Sequence, residues 1–382
     1  MFHFTDEQRM IQEMVGRLAK ERITPFVEEA DRVGHSLPQV VKILAENGLL
    51  KLGLPENYGG IGANYTTIAL VVEELAKVDA STAMTLFVTQ SLIQILKEAG
   101  SEEQKERFFN QMSSGDKINA FSLTEPNHGS ESASIQTKAV LNGDHYIING
   151  TKIFVTNGPI ADFILLFVRT GGERQKGLSA LVVEKGTPGF SVGKHEDKMG
   201  LRGSDISELI FEDALVPREN LLGQPGDGWK ILMSGGADMR AYGPGAMATG
   251  LACGAMDYAV SYAQQRVQFG RPLANLQAVR FMIADMCIQV EAARALLYRT
   301  TALMDAGDSD MSLRSRLVSA TKCFASDVAM RVTTDAVQIL GGYGVMKDYP
   351  VERMMRDAKM IQIFDGSNQI QRVIVARSLL ST

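Results

Sequence analysis

From Gly228 to the end of this 382-residue chain, apolar residues recur at three-to-four spacing in four long segments. They cover about 230–268, 274–306, 311–340 and 350–380, each closed by glycine, proline or a polar break. Helices of such length with short connections bury their apolar faces most simply as an antiparallel bundle. The N-terminal third is helical as well. Thr5 followed by Gln8 is a capping-box signature, and Met10, Ile11, Met14, Val15 and Leu18 follow at helical spacing. Further helical patterns cover 37–47, 65–78, 83–99 and 102–113, with a loop at Leu54-Pro55-Glu56-Asn57-Tyr58-Gly59-Gly60.

Between these helical regions the pattern shortens to that of strands. Ala139–Leu141 and His145–Ile148 flank Asn142-Gly143, a strong hairpin signal, and a second turn at Asn149-Gly150 leads into Lys152–Val155. The segments 163–169, 180–184 and 206–211 are rich in β-branched and aromatic residues. The expected architecture is α+β and multidomain, with a helical domain over 1–120, a β domain over 121–228 and a helical bundle over 229–382. No GxGxxG follows a strand and opens a helix, so the dinucleotide-binding βαβ unit is absent.

Composition removes several function classes. A net charge of −5 argues against a nucleic-acid-binding surface. No uncharged apolar stretch reaches the roughly 18 residues of a membrane span. The N-terminus, from Met1 to Gln8, has neither a basic start nor an apolar run, so no signal peptide is expected and a cytoplasmic location is. Cys253, Cys287 and Cys323 are odd in number and widely spaced, which argues against a disulfide framework or a metal site. Nineteen methionines suit a plastic apolar interior or pocket.

The chemistry concentrates in a few polar, glycine-rich segments. Three of them, Phe121–Glu131, Lys152–Gly158 and Lys198–Asp205, punctuate the β region. Their hydroxyls and exposed N–H groups are suited to a polar heteroaromatic ring or to phosphates, and an aromatic near a threonine, as in Phe154-Val155-Thr156, could cover a planar cofactor. Each is also an ordinary loop composition. Arg266 and Arg271 close one helix of the bundle and suit either phosphate or the negative end of that helix. Gln338 through Gly344 ends another, where Gly341 and Gly342 permit close approach or simply cap the helix. Near the C-terminus, Asp365-Gly366-Ser367 sets a carboxylate in a turn between two helical patterns. That carboxylate is aimed at a buried ligand or caps the next helix.

Taken in order, these segments resemble the acyl-CoA dehydrogenase family of flavoproteins. The resemblance runs nearly end to end and is carried by Leu123-Thr124-Glu125-Pro126, Phe154-Val155-Thr156-Asn157-Gly158, Arg266-Val267-Gln268-Phe269-Gly270, Gln338-Ile339-Leu340-Gly341-Gly342 and Met355-Arg356-Asp357-Ala358. It implies an α domain, a β-barrel-like domain and a four-helix bundle, with FAD held between the last two. It implies further that Leu123, Thr124, Ser130, Phe154 and Thr156 line the flavin ring. Arg266, Gln268 and Phe269 would reach the FAD of a partner subunit in a homotetramer, with Gln338, Gly341 and Gly342 completing that site. Ser367 and Gln369 would lie near the phosphate or adenine end of FAD. Ser130 and Asp238 would contact the pantetheine of an acyl-CoA substrate, and Gly366 adjoins the same site. Asp365 would remove the substrate α-proton while flavin takes a β-hydride, with an electron-transferring flavoprotein as acceptor.

The chain departs from the family pattern at three places. Asp365 stands where the family usually has Glu, on the order of 1.5 Å shorter in reach, and Phe364 stands where it has Tyr. Arg240 occupies a position that carries the base in some members, leaving it to pair with Asp365, bind substrate or face solvent. Tyr242-Gly243-Pro244 breaks the usual helix pattern and implies a reshaped pocket. A short or alicyclic acyl-CoA is therefore the expected substrate. The alternatives are a relative without net oxidation, such as a desulfinase-type lyase or a scaffold, and an enoyl-CoA reductase.

Overall fold

The computed structural model describes residues 4–307 and 310–380, so Met1, Phe2 and His3 of the segment read for a signal peptide lie outside it. Six helices open the chain: α1 (Asp6–Leu18), α2 (Thr24–Val33), α3 (Pro38–Glu46), α4 (Tyr65–Ala76), α5 (Ala80–Ala99) and α6 (Glu102–Met112). The capping box expected at Thr5 forms, with the Thr5 hydroxyl accepting the Gln8 N–H and the Gln8 side chain returning to the Thr5 N–H, both at 3.1 Å. The helix α5 is buried from Ala80 to Leu96 with its polar residues included, because Asp79 caps its start and neighbouring segments enclose it.

The strands are β1 (Asn119–Ser122), β2 (Lys138–Asn142), β3 (His145–Thr156), β4 (Phe163–Arg169), β5 (Leu178–Glu184), β6 (Phe190–His195), β7 (Ile206–Pro217) and β8 (Leu221–Leu222). They form one sheet in the order β6-β7-β3-β2-β4-β5-β8, with β1 pairing parallel to β4. Two local expectations are corrected. The β2–β3 hairpin turns at Gly143-Asp144, one residue later than read, since Asn142 pairs with His145. Asn149-Gly150 is no turn. The strand β3 runs through it with a register shift against β7, and Gly150 takes φ 146 where a Cβ would meet Thr137 at under 3 Å. An Asn-Gly pair inside a strand has here produced a bulge rather than a reversal.

The C-terminal helices are α7 (Gly228–Ile231), α8 (Ala237–Arg240), α9 (Ala246–Gln265), α10 (Gln277–Asp305), α11 (Met311–Leu340), α12 (Pro350–Ile361) and α13 (Asn368–Leu380). A small hairpin, β9 (Val267–Gln268) and β10 (Arg271–Pro272), follows α9. The first expected long helix is a helical run with two wide π-turns, at Leu232–Gly236 and Ala241–Gly245. Pro244 lies in the second, where a wider turn accommodates the missing N–H. Gly243 is required there, because an added Cβ would overlap the Phe87 ring of α5 at 2.1 Å.

Two cores organise the helices around the sheet. One is continuous from α1, α4 and α5 through α9 to α12, so the N-terminal and C-terminal helices share an interior that includes Val15, Leu70, Leu251 and Val332. The other joins the far end of α5 and α6 to one face of β4 and β5, through Phe108, Phe163 and Phe167. Where helices and sheet meet lies the site.

Candidate active site

A cavity of about 600 Å³ opens between α5, the sheet, the first π-turn and the α12–α13 connection. Its apolar wall includes Met84, Phe87, Val88, Met239 and Phe364. These α5 residues share one stripe of the helix, so an element that looks uniformly buried in sequence presents a pocket face. Four methionines, Met84, Met233, Met239 and Met360, line the space.

The polar side is built from the glycine-rich segments of the β region. Leu123, Thr124, Ser130, Phe154 and Thr156 all reach this cavity. They are held by a buried ion pair behind them, Lys152 Nζ to Glu125 Oε1 at 2.8 Å, with Lys152 also donating to the Leu123 carbonyl at 3.0 Å. Burial lowers the Lys152 pKa to about 8, and the Glu125 carboxylate opposes this. Asn157 fastens the second segment, donating from Nδ2 to the carbonyls of Thr85 and Asn119 at 3.1 and 3.0 Å. Phe154 takes φ 55 at a register shift in β3 and is 58% exposed, so the irregular strand presents its aromatic face to open space. The third segment supplies Lys198, Leu201 and Ser204. Its Leu201 N–H is bound by the buried Asp357 carboxylate, and Arg356 forms ion pairs with Asp31 and Glu352. The Met355–Ala358 motif thus ties this loop and α2 to α12.

Asp365 lies in the α12–α13 turn at φ 53, followed by Gly366 at φ 82. Ser367, not Asp365, meets the start of α13, its hydroxyl 3.4 Å from the Ile370 N–H. The Asp365 backbone carbonyl accepts from Arg240 Nε at 3.0 Å, and the Gly366 carbonyl accepts from Lys322 Nζ at 2.9 Å. Two cations therefore hold the turn by its backbone. The Asp365 carboxylate itself has no hydrogen bond or ion pair among the described residues. It faces the cavity and is exposed there; desolvation by the surrounding walls raises its pKa, with Lys322 and Arg240 pulling the other way. Lys322 is fully buried on α11, and burial lowers its pKa to about 8. Sequence reasoning passed over Lys322, whose signal is a lone lysine on the buried face of α11 between Ser319 and Ser326.

The remaining candidate residues divide. Arg240, Gly366 and Ser367 line the cavity. Asp238 is buried in an ion pair with Arg314 and does not line it. Burial raises the Asp238 pKa to about 6. Tyr242 is fully buried against Tyr65 and Phe87, its hydroxyl without a hydrogen bond among the described residues. Gln369 lies in a separate depression beside Asp327 and Arg372. Arg266, Gln268, Phe269, Gln338, Gly341 and Gly342 lie on the surface outside this cavity. The two segments meet where the Arg266 guanidinium stands 5.1 Å from the ring centre of Tyr343, the residue after Gly342.

Three family models cover almost the whole chain: acyl-CoA dehydrogenase N-terminal domain over residues 5–116, middle domain over 120–214 and C-terminal domain over 226–380. The chain belongs to the acyl-CoA dehydrogenase family. It is similar to cyclohex-1-ene-1-carbonyl-CoA dehydrogenase of Geobacter metallireducens, at 46% identity with 100% of both chains covered. Among solved structures it is similar to butyryl-CoA dehydrogenase from Megasphaera elsdenii, at 41% identity, TM-score 0.95 and full coverage of both chains. A structure described as the electron transferring flavoprotein of Acidaminococcus fermentans matches at 44% identity and TM-score 0.95, again over 100% of both chains. As a member of this family the chain is a flavin-linked oxidoreductase acting on the CH–CH bond of an acyl-CoA, with FAD as cofactor.

The cavity fits such a cofactor. It combines an exposed aromatic face at Phe154, the hydroxyls of Thr124, Ser130 and Thr156, and a buried Ser204 hydroxyl with no hydrogen bond among the described residues. A planar ring with polar edges would use each of these.

Proposed function

We propose that the chain dehydrogenates a short or alicyclic acyl-CoA, with Asp365 as the base. The observation that carries this reading is a carboxylate with no hydrogen bond among the described residues, facing a largely apolar cavity, on a turn whose carbonyls are pinned by Arg240 and Lys322. A side chain held this way spends little entropy in reaching a substrate proton. Desolvation raises its pKa, which strengthens it as a base, while the two cations keep the ionised form accessible.

Leu123, Thr124, Ser130, Phe154 and Thr156 would hold the flavin of FAD. When bound, FAD accepts the hydride that leaves the substrate as Asp365 takes the proton. The acyl group would lie among Met84, Phe87, Val88, Met239 and Phe364, which exclude water and leave no polar partner for a long hydrophilic chain. Aspartate in place of glutamate sets the carboxylate further back and leaves width for a ring. That agrees with the similarity to the Geobacter metallireducens enzyme, whose name specifies a cyclohexene ring. The surface group around Arg266, Phe269 and Gly341 is assigned to the FAD of a neighbouring subunit in a homotetramer, and an electron-transferring flavoprotein is the proposed acceptor.

Turnover of butyryl-, glutaryl-, cyclohexane-carbonyl- and cyclohex-1-ene-1-carbonyl-CoA with a ferricenium acceptor tests the substrate class. At least one of the butyryl and cyclic esters is expected to bleach the flavin and give the unsaturated product. Turnover confined to glutaryl-CoA, or none with any ester, would contradict the proposal.

A further inference from the structure

A second cluster of chemically capable side chains lies at the ends of the Lys198–Asp205 loop, and none of its three residues lines the cavity. His35 comes from the connection between α2 and α3, His195 from the end of β6, and Asp205 from the residue before β7. His35 Nδ1 stands 3.3 Å from Asp205 Oδ1, and His195 Nε2 stands 2.9 Å from the same oxygen. The two imidazole rings are 4.1 Å apart. Donor atoms from all three residues lie within 4.8 Å of one another.

We propose that His35, His195 and Asp205 bind one divalent transition-metal ion, zinc being the natural occupant. Two imidazole nitrogens and one carboxylate oxygen are an intermediate donor set that suits zinc better than magnesium or calcium. Tetrahedral zinc, with bonds of about 2.0–2.2 Å, sets its donors about 3.3–3.5 Å apart. Both His–Asp separations are already close to that spacing, and rotation of the half-exposed His35 ring closes the remaining one. Asp205 is already oriented as a ligand. Its Oδ2 accepts the Ser36 N–H at 3.2 Å, and its backbone carbonyl accepts the Asn157 N–H at 2.9 Å. Held from behind, the carboxylate keeps Oδ1 turned to the imidazoles, as outer hydrogen bonds commonly fix a metal ligand. Asp205 is 4% exposed, whereas His35 is open to solvent, so an ion has a path in and a position left for water.

The consequence lies in the fold. The three ligands join the N-terminal helices to β6 and β7, and Ser204, adjacent to Asp205, lines the cavity. A bound ion would clip these elements together and stiffen that wall without touching the reacting atoms. Such an ion stabilises the folded chain by an amount that grows with the logarithm of its free concentration once the site fills.

Zinc chloride titrated into the FAD-loaded enzyme, previously treated with chelator and dialysed, tests this by calorimetry and zinc X-ray absorption. One equivalent per chain is expected, with a first shell of two imidazoles and oxygen, and a thermal midpoint that rises with zinc and falls back with EDTA. His35→Asn and His195→Gln should each weaken binding about tenfold or more and abolish the midpoint shift, while retaining the parent flavin spectrum. His35→Asn changes a half-exposed connection residue and so guards against a folding artefact. Absence of stoichiometric binding, a zinc shell without imidazole, or binding unchanged in both variants would overturn the proposal.

Discussion

Phe154 and Phe269 share an unusual property and use it in different surroundings. Each is an exposed phenylalanine in left-handed backbone, at φ 55 and φ 52, a conformation that costs about 1–3 kcal/mol for such a residue. Phe154 sits on a strand irregularity and faces a cavity, beside Thr124, Thr156 and Asp365. Phe269 sits in the two-residue turn of the β9–β10 hairpin, 89% exposed, three residues after Arg266. The first region is lined by residues of this one chain. The second holds an aromatic ring in solvent at the same strain, which fits the proposal that a neighbouring subunit covers it.

The strongest challenge to that contrast comes from Phe269→Asp. A charge buried without a partner costs several kcal/mol, so subunit association should weaken by more than about a hundredfold. Sedimentation should show smaller species, and the flavin-to-protein absorbance ratio should fall. A fully assembled, fully loaded variant would separate the second region from the cofactor. A smaller effect is expected in the first region. Lys322 lowers the Asp365 pKa, against the raising effect of desolvation, so Lys322→Met should move the acidic limb of the pH–rate profile upward. The sign follows because Asp365 must be ionised to act: activity appears as pH rises through its pKa, and removing a cation raises that pKa. An acidic limb left in place, with only the plateau lowered, would reduce Lys322 to a support for the turn.

The same two regions show what the amino-acid pattern makes legible. Long helical periodicity defined the bundle because burial of a helix face repeats over many turns. The Asp365 turn was visible because Asp-Gly-Ser interrupts that periodicity. What escaped were roles fixed only by tertiary placement. Lys322 is one lysine on a helix, and nothing local says that its amine crosses to the Gly366 carbonyl. The α5 stripe of Met84, Phe87 and Val88 was hidden because nearly every position of that helix is buried, which erases the contrast on which periodicity depends. Asn149-Gly150 was misread as a turn because the same dipeptide serves a bulge when both flanking segments pair with β7. Arg266 joins the glycines after α11, and Asp238 joins the substrate residues, only through the resemblance; in the structure Asp238 is paired with Arg314.

Anaerobic mixing of substrate with the FAD-loaded Asp365→Asn variant decides whether Asp365 is the base. Asparagine keeps the size of the side chain and the backbone bonds from Arg240 and Lys322 while removing the proton acceptor. With an ester that reduces the parent flavin, normal FAD content is expected, with a reduction rate lower by about 10²–10⁴-fold, the usual contribution of a positioned acid–base group. Flavin bleaching at close to the parent rate would contradict the assignment.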